Sequence, residues 1–190
     1  MDYVRAHGYP VPAVEEISDD GTDLVMERVE GPSMADALGR QPWTLRRHGA
    51  ALADLHNRLH EIAAPDWIAD APFGHGESLL HLDLHPLNVI ISAKGPVVID
   101  WPNARRGDGN CDIALTWILV GAGTIPGSRL KATVMGWGRS ALIRSMLAHC
   151  DRAAVGAQLH EVVERKVTDP HMSDGEIASM RRLARPFSRS

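Results

Sequence analysis

The chain has 190 residues, a net charge of −4 and 44% hydrophobic residues, which suits one domain with a buried core. Its seventeen arginines are scattered among 24 acids, which argues against a nucleic-acid footprint. The best apolar stretch, Ile113 to Ile125, is too short to cross a bilayer. Cys111 and Cys150 lack metal-type spacing, so reduced thiols in a cytoplasmic protein are expected. There are only three lysines, Lys94, Lys131 and Lys166.

In chain order, Met1 to His7 reads as helix ended by Gly8 and the Pro10-Val-Pro12 break. Ala13 to Ile17 and Thr22 to Val29 read as strands around the turn Ser18 to Gly21. Ser33 can cap a short helix over Met34 to Leu38. From Trp43 to Ile62, Leu45, Leu52, Leu55, Leu59 and Ile62 fall at helical spacing. His48, His56 and His60 ride on that helix. No third ligand stands near them in sequence, so they are expected to be core or groove histidines. Pro65 to Gly76 is a loop.

The most informative stretch is His81-Leu-Asp83-Leu-His85-Pro-Leu-Asn88, followed by two β-branched runs, Val89 to Ile91 and Val97 to Ile99. Ser92 to Pro96 between them is turn-forming, with Gly95 free to take positive φ, so a hairpin is expected. A turn centred near Lys94 would pair Asn88 with Asp100. An amide oxygen and a carboxylate would then converge, with Asp83 arriving from the preceding loop. Such oxygen chemistry suits Mg²⁺, with a spare carboxylate for a proton. Alternation of His81, Asp83 and His85 could instead put three metal ligands on one face of a strand, as in a metal-dependent hydrolase, though Pro86 opposes a strand there.

Pro102 to Asn110 reads as a polar loop, and Asp112 to Val120 as a helix apolar on nearly all sides. Asp112 at its start suits the helix dipole. After a break at Gly121 to Gly127, Ser128 caps an expected helix to about Cys150, and another covers Asp151 to Val167. Ser173 to Glu176 is a possible capping box, and Arg181 to Ser190 should be frayed. Asp151, Glu161 and Glu164 are expected to be solvated rather than to face a cationic substrate.

Together the His81-x-Asp83-x-His85-Pro86-x-Asn88-Val89 loop and the Ile99-Asp100-Trp101 sequel resemble the aminoglycoside phosphotransferase and choline kinase-like family. The resemblance implies an α+β protein kinase-like fold, mainly its helical C-terminal lobe. Residues 1–30 would be residual N-lobe strands and hinge, and 31–190 the phosphotransferase lobe, within a single domain overall. It implies transfer of the ATP γ-phosphoryl group to a small-molecule hydroxyl. Asp83 would take the proton, His81 would brace the loop, and His85 would bond a phosphate or the backbone. Asn88 and Asp100 would hold Mg²⁺. Glu27 and Val29 would offer hinge backbone to adenine, with Met26 lining the pocket. Asp112, in Gly107-Asp108-Gly-Asn-Cys-Asp112, would support the catalytic loop from beneath.

Only 25 residues precede Met26, without a lysine or a glycine-rich loop, so the phosphate-cradling lobe of this family is missing from the sequence. A fragment with an upstream N-lobe is the first expectation. Next come a pseudokinase-like binding module and a phosphate site remodelled around Arg5 or Arg28. Impaired phosphotransfer is expected, as is self-association through the uncovered lobe face.

Overall fold

A computed structural model describes residues 1–18, 23–122, 129–170 and 172–185, with side chains left undescribed over 129–135. The turn expected at Ser18 to Gly21 and the cap at Ser128 therefore lie largely or wholly outside the described residues. The fold is α+β: seven helices and three separate two-stranded antiparallel sheets among the described residues.

The first helix, α1 (Asp2–Ala6), stops where Gly8 takes φ 74°. It is followed by the hairpin β1 (Val14–Ile17) and β2 (Leu24–Met26), which pair antiparallel. Helix α2 (Met34–Arg40) starts where Ser33 accepts the Asp36 N–H at 3.0 Å. A short 3₁₀ turn, Pro42–Thr44, precedes α3 (Leu45–His60), so the long helix begins two residues later than the apolar spacing suggests. Trp43, outside it, is exposed.

The next strand, β3 (Ser78–Leu80), runs into the His81–Asn88 loop, and β4 (Val89–Ser92) with β5 (Gly95–Val98) forms the expected hairpin. Strand β6 (Arg105–Gly107) pairs with β3 and lies inside the segment expected to be loop. Sequence gave no sign of it, because its two arginines are polar and its partner lies 27 residues earlier.

Helix α4 (Gly109–Ala122) is the central element, apolar all round as expected, with Cys111 to Ile118 continuously buried. It packs against α5 (Arg129–Leu147), α6 (Arg152–Lys166) and α7 (Asp174–Ala184). Gly49 of α3 comes so close to α5 that an added Cβ would lie 2.5 Å from Ser145 Cβ. Asp151 caps α6 through Ala153 and Ala154, and Ser173 with Glu176 forms the full capping box of α7. The expectation of fraying from Arg181 fails for Arg181 to Ala184. Met180 and Ala184 are buried against the core, which holds the helix to its end.

Candidate active site

Hairpin register corrects the sequence-based geometry. Val89 pairs with Val98 and Ser92 with Gly95, so Ala93 and Lys94 form a two-residue turn. The Ser92 hydroxyl closes it, donating to Gly95 O and accepting the Lys94 N–H. Asn88 therefore lies opposite Ile99, whose N–H donates to Asn88 O at 3.0 Å, and not opposite Asp100. A one-residue slip sends strand side chains to opposite faces. Here the strand alternation ends at Asp100 itself, which adopts φ 69°. Asp100 is exposed and has no hydrogen-bond or ion-pair partner among the described residues.

The loop before the hairpin is not a strand. Leu82 takes φ 60°, an uncommon conformation for a leucine, and this breaks the alternation that a His81–Asp83–His85 ligand face would need. His81 is fully buried. Asp83 N–H donates to its Nδ1 at 3.2 Å, so Nε2 carries the proton and donates to Ile99 O at 3.1 Å. Burial lowers its pKa, against the opposing pull of Asp112, and the ring packs against Trp101, centroids 4.6 Å apart and planes tilted by 60°. This geometry ties the loop to the end of β5 and gives the metal-hydrolase arrangement no support.

Asp83 is held from two sides. Asn88 Nδ2 donates to its Oδ2 at 3.1 Å and to its backbone oxygen at 2.9 Å. Leu87 N–H donates to His85 Nδ1 at 3.3 Å, which leaves His85 Nε2–H to donate to Asp83 Oδ1 at 3.2 Å. Partial burial tends to raise the Asp83 pKa, but His85, His81 and Asn88 outweigh it and lower the pKa below the usual carboxylate value. Because Asn88 gives its amide hydrogens to Asp83, its side-chain oxygen is left to accept another partner.

Under the loop, Asp112 is fully buried at the start of α4. Its Oδ2 accepts the His81 N–H at 2.9 Å and its Oδ1 the Leu82 N–H at 2.8 Å. Burial would raise its pKa, but the neighbouring His56 and His60 imidazoles outweigh it and hold the pKa well below the ordinary range. His60 Nε2 lies 3.1 Å from Oδ2. Thr116 donates to Leu84 O at 2.8 Å and lies 3.1 Å from His56 Nε2. The sequence did contain a signal for this network. His56 and His60 are spaced i, i+4 on one helix, and Asp112 and Thr116 are spaced i, i+4 on another.

At the expected hinge, Met26 ends β2 and is 41% exposed. Glu27 N–H donates to Ala13 O at 2.8 Å, so of its backbone groups only the carbonyl remains to be offered. Val29 makes no backbone bond among the described residues. Asp151 is a helix cap, and Glu161 accepts Gly74 N–H at 3.4 Å. Glu164 sits 3.7 Å from Arg181.

Fold and loop together have an α+β, protein kinase-like architecture. Residues 64–149 match the model of the phosphotransferase enzyme family (APH). Among solved structures, the chain is similar to amicoumacin kinase hAmiN in complex with AMP-PNP, Ca²⁺ and Ami. Identity is 16% and the TM-score 0.48, over 98% of this chain and 74% of that one. No curated protein matches it. No helix among the described residues is long and apolar enough to cross a membrane.

Proposed function

We propose that this protein is an ATP-dependent phosphotransferase that phosphorylates a hydroxyl group of a small molecule. The observation that carries the proposal is the doubly held carboxylate of Asp83, set within the family-matched segment. Asp83 is ionised at neutral pH, so it can orient the acceptor hydroxyl and take its proton. Two N–H donors fix the carboxylate plane, so little reorganisation is needed when the hydroxyl arrives. His81 and Asp112 act as positioning residues for the loop.

The donor set fits Mg²⁺. Asn88 offers an amide oxygen and Asp100 an exposed, unpaired carboxylate, both hard oxygen ligands. These two residues would hold the ion, whose bound charge would offset that on the phosphate oxygens. The Glu27 carbonyl and the Val29 N–H would meet the adenine edge, beside Met26. His85 bonds the backbone through Nδ1, one of the two partners expected for it, and keeps Asp83 oriented through Nε2.

The test is nucleotide turnover with Mg²⁺ across a panel of small alcohols and aminoglycosides, for the wild type and Asp83→Asn. Phosphorylated acceptor that disappears in Asp83→Asn supports the assignment. Nucleotide binding without turnover on any acceptor would point instead to a binding module. If neither binding nor turnover is seen, the proposal fails.

A further inference from the structure

The network under the catalytic loop leaves one atom unexplained. His56 Nδ1 is the single buried side-chain nitrogen or oxygen without a hydrogen-bond partner among the described residues. Its surroundings fix its protonation. The Thr116 hydroxyl gives its one hydrogen to Leu84 O, so toward His56 it can only accept, and His56 Nε2 must carry the proton. In the neutral ring Nδ1 is then a bare lone pair. It faces Asp112 Oδ2, another acceptor, at 3.7 Å.

Two lone pairs opposed in a dry interior repel each other unless a positive charge lies between them. A second proton on His56 is one way to supply it. A metal ion is the other. A third donor is already in place, because His60 Nε2 lies 3.1 Å from the same Oδ2. The three ligand atoms lie within 4.8 Å of one another.

We propose that His56 Nδ1, His60 Nε2 and Asp112 Oδ2 form a zinc site that ties α3 and α4 to the underside of the catalytic loop. Two imidazoles and one carboxylate are a Zn²⁺ ligand set, at nitrogen and oxygen distances of about 2.0–2.2 Å. Zn²⁺ would take the place of the His60 Nε2 proton, which moves to Nδ1 of the same ring, and the ligand atoms would settle about 3.4 Å apart around it. His60 can make that shift because it ends its helix and its side chain is 12% exposed. A fourth ligand, as a four-coordinate site requires, would be a water on the His60 side, where the only exposed ligand side chain lies. Asp112 keeps its bonds to the His81 and Leu82 N–H groups, since each carboxylate oxygen has two lone pairs. The His56–Thr116–Leu84 chain orients the ligand imidazole from behind, as metal-bound histidines require.

This site is separate from the Asn88–Asp100 pair and does not depend on the phosphotransferase assignment. The test is to strip the full chain with chelator, add ZnCl₂, pass it through gel filtration and measure bound metal. A melt with and without Zn²⁺ and a Co²⁺ absorption spectrum complete it. Expected results are one equivalent of retained Zn²⁺, a higher melting temperature and the strong visible bands of four-coordinate Co²⁺. His60→Gln, checked for folding by circular dichroism, should bind at least about 10–100-fold more weakly. Asp100→Ala should retain the zinc. Absence of retained zinc in the wild type, equal retention by His60→Gln, or a weak six-coordinate Co²⁺ spectrum would each overturn the proposal.

Discussion

Asp112→Ala should be among the most damaging single substitutions in this chain, and its cost can be worked from the bonds it removes. The change leaves the His81 and Leu82 N–H groups without their acceptor, beneath a loop with no exposed surface at His81 or Asp112. Each buried donor left unpaired costs about 1–3 kcal/mol, so two give about 2–6 kcal/mol. Loss of one partner from a buried charge network gives an independent figure of about 3–5 kcal/mol. Domain stabilities run to about 5–15 kcal/mol, so much of the molecule's margin rests on this one carboxylate. Asp112→Asn keeps one acceptor oxygen and should lose about 1–3 kcal/mol. Urea unfolding followed by circular dichroism, in chelator to exclude metal effects, measures both variants. Hydrogen exchange at the Leu82 amide should accelerate in step. A loss below about 1 kcal/mol for Asp112→Ala would show that the acid only decorates the start of α4.

The other predictions concern separate parts of the structure. Asp100→Asn keeps a residue that tolerates positive φ, so stability should hold within about 0.5 kcal/mol. Calorimetry with Mg²⁺ and an ATP analogue should nonetheless show weaker cation binding, and equal affinity would remove Asp100 from the metal assignment. His85→Ala deletes a hydrogen bond that lowers the Asp83 pKa. Asp83 must be ionised to accept a proton, so the acid limb of kcat/KM lies below the usual carboxylate range in the wild type and should move upward in the variant. An unmoved limb would separate His85 from Asp83 function. Gly49→Ala sets a Cβ 2.5 Å from Ser145, so its melting temperature should fall with a cost of about 1–3 kcal/mol. An unchanged melt would mean that α3 and α5 have slack between them.

What the sequence revealed, and what it hid, follows the range of the interactions involved. The β4–β5 hairpin was legible because β-branched runs and a glycine turn are local signals. Its register was not, because the Ser92 side chain decides between a two- and a three-residue turn, and that single bond displaced Asp100 from Asn88. The β3–β6 pair joins two three-residue strands distant in sequence, with Arg105 and Arg106 on one of them, so no pattern marks it. Asp112 stood out through its spacing, but its histidine partners lie 52 and 56 residues earlier and were assigned to the core for want of a nearby third ligand. They are indeed buried or nearly so, and the third group reaches them only through the crossing of α3 and α4.

The backbone at this site is strained at two points, and the same network restrains both. Leu82 at φ 60° and Asp100 at φ 69° are the only non-glycine residues at positive φ among the described residues. Such conformations cost on the order of 1–3 kcal/mol each and persist only where the surroundings over-determine them. Leu82 is pinned by its N–H to Asp112 Oδ1. Asp100 follows Ile99, whose carbonyl accepts from His81 Nε2 and whose N–H donates to Asn88 O. His81 sits between the two strained residues, bonded to Asp112 through its backbone and to Ile99 through its ring. Strain at Leu82 turns the chain so that Asp83 meets His85 and Asn88, while strain at Asp100 ends the strand where the unpaired carboxylate stands. Neither residue can relax without breaking a bond to His81 or Asp112. The buried residues under the loop therefore set the geometry of the two acids, half-buried Asp83 and exposed Asp100, to which the chemistry is assigned.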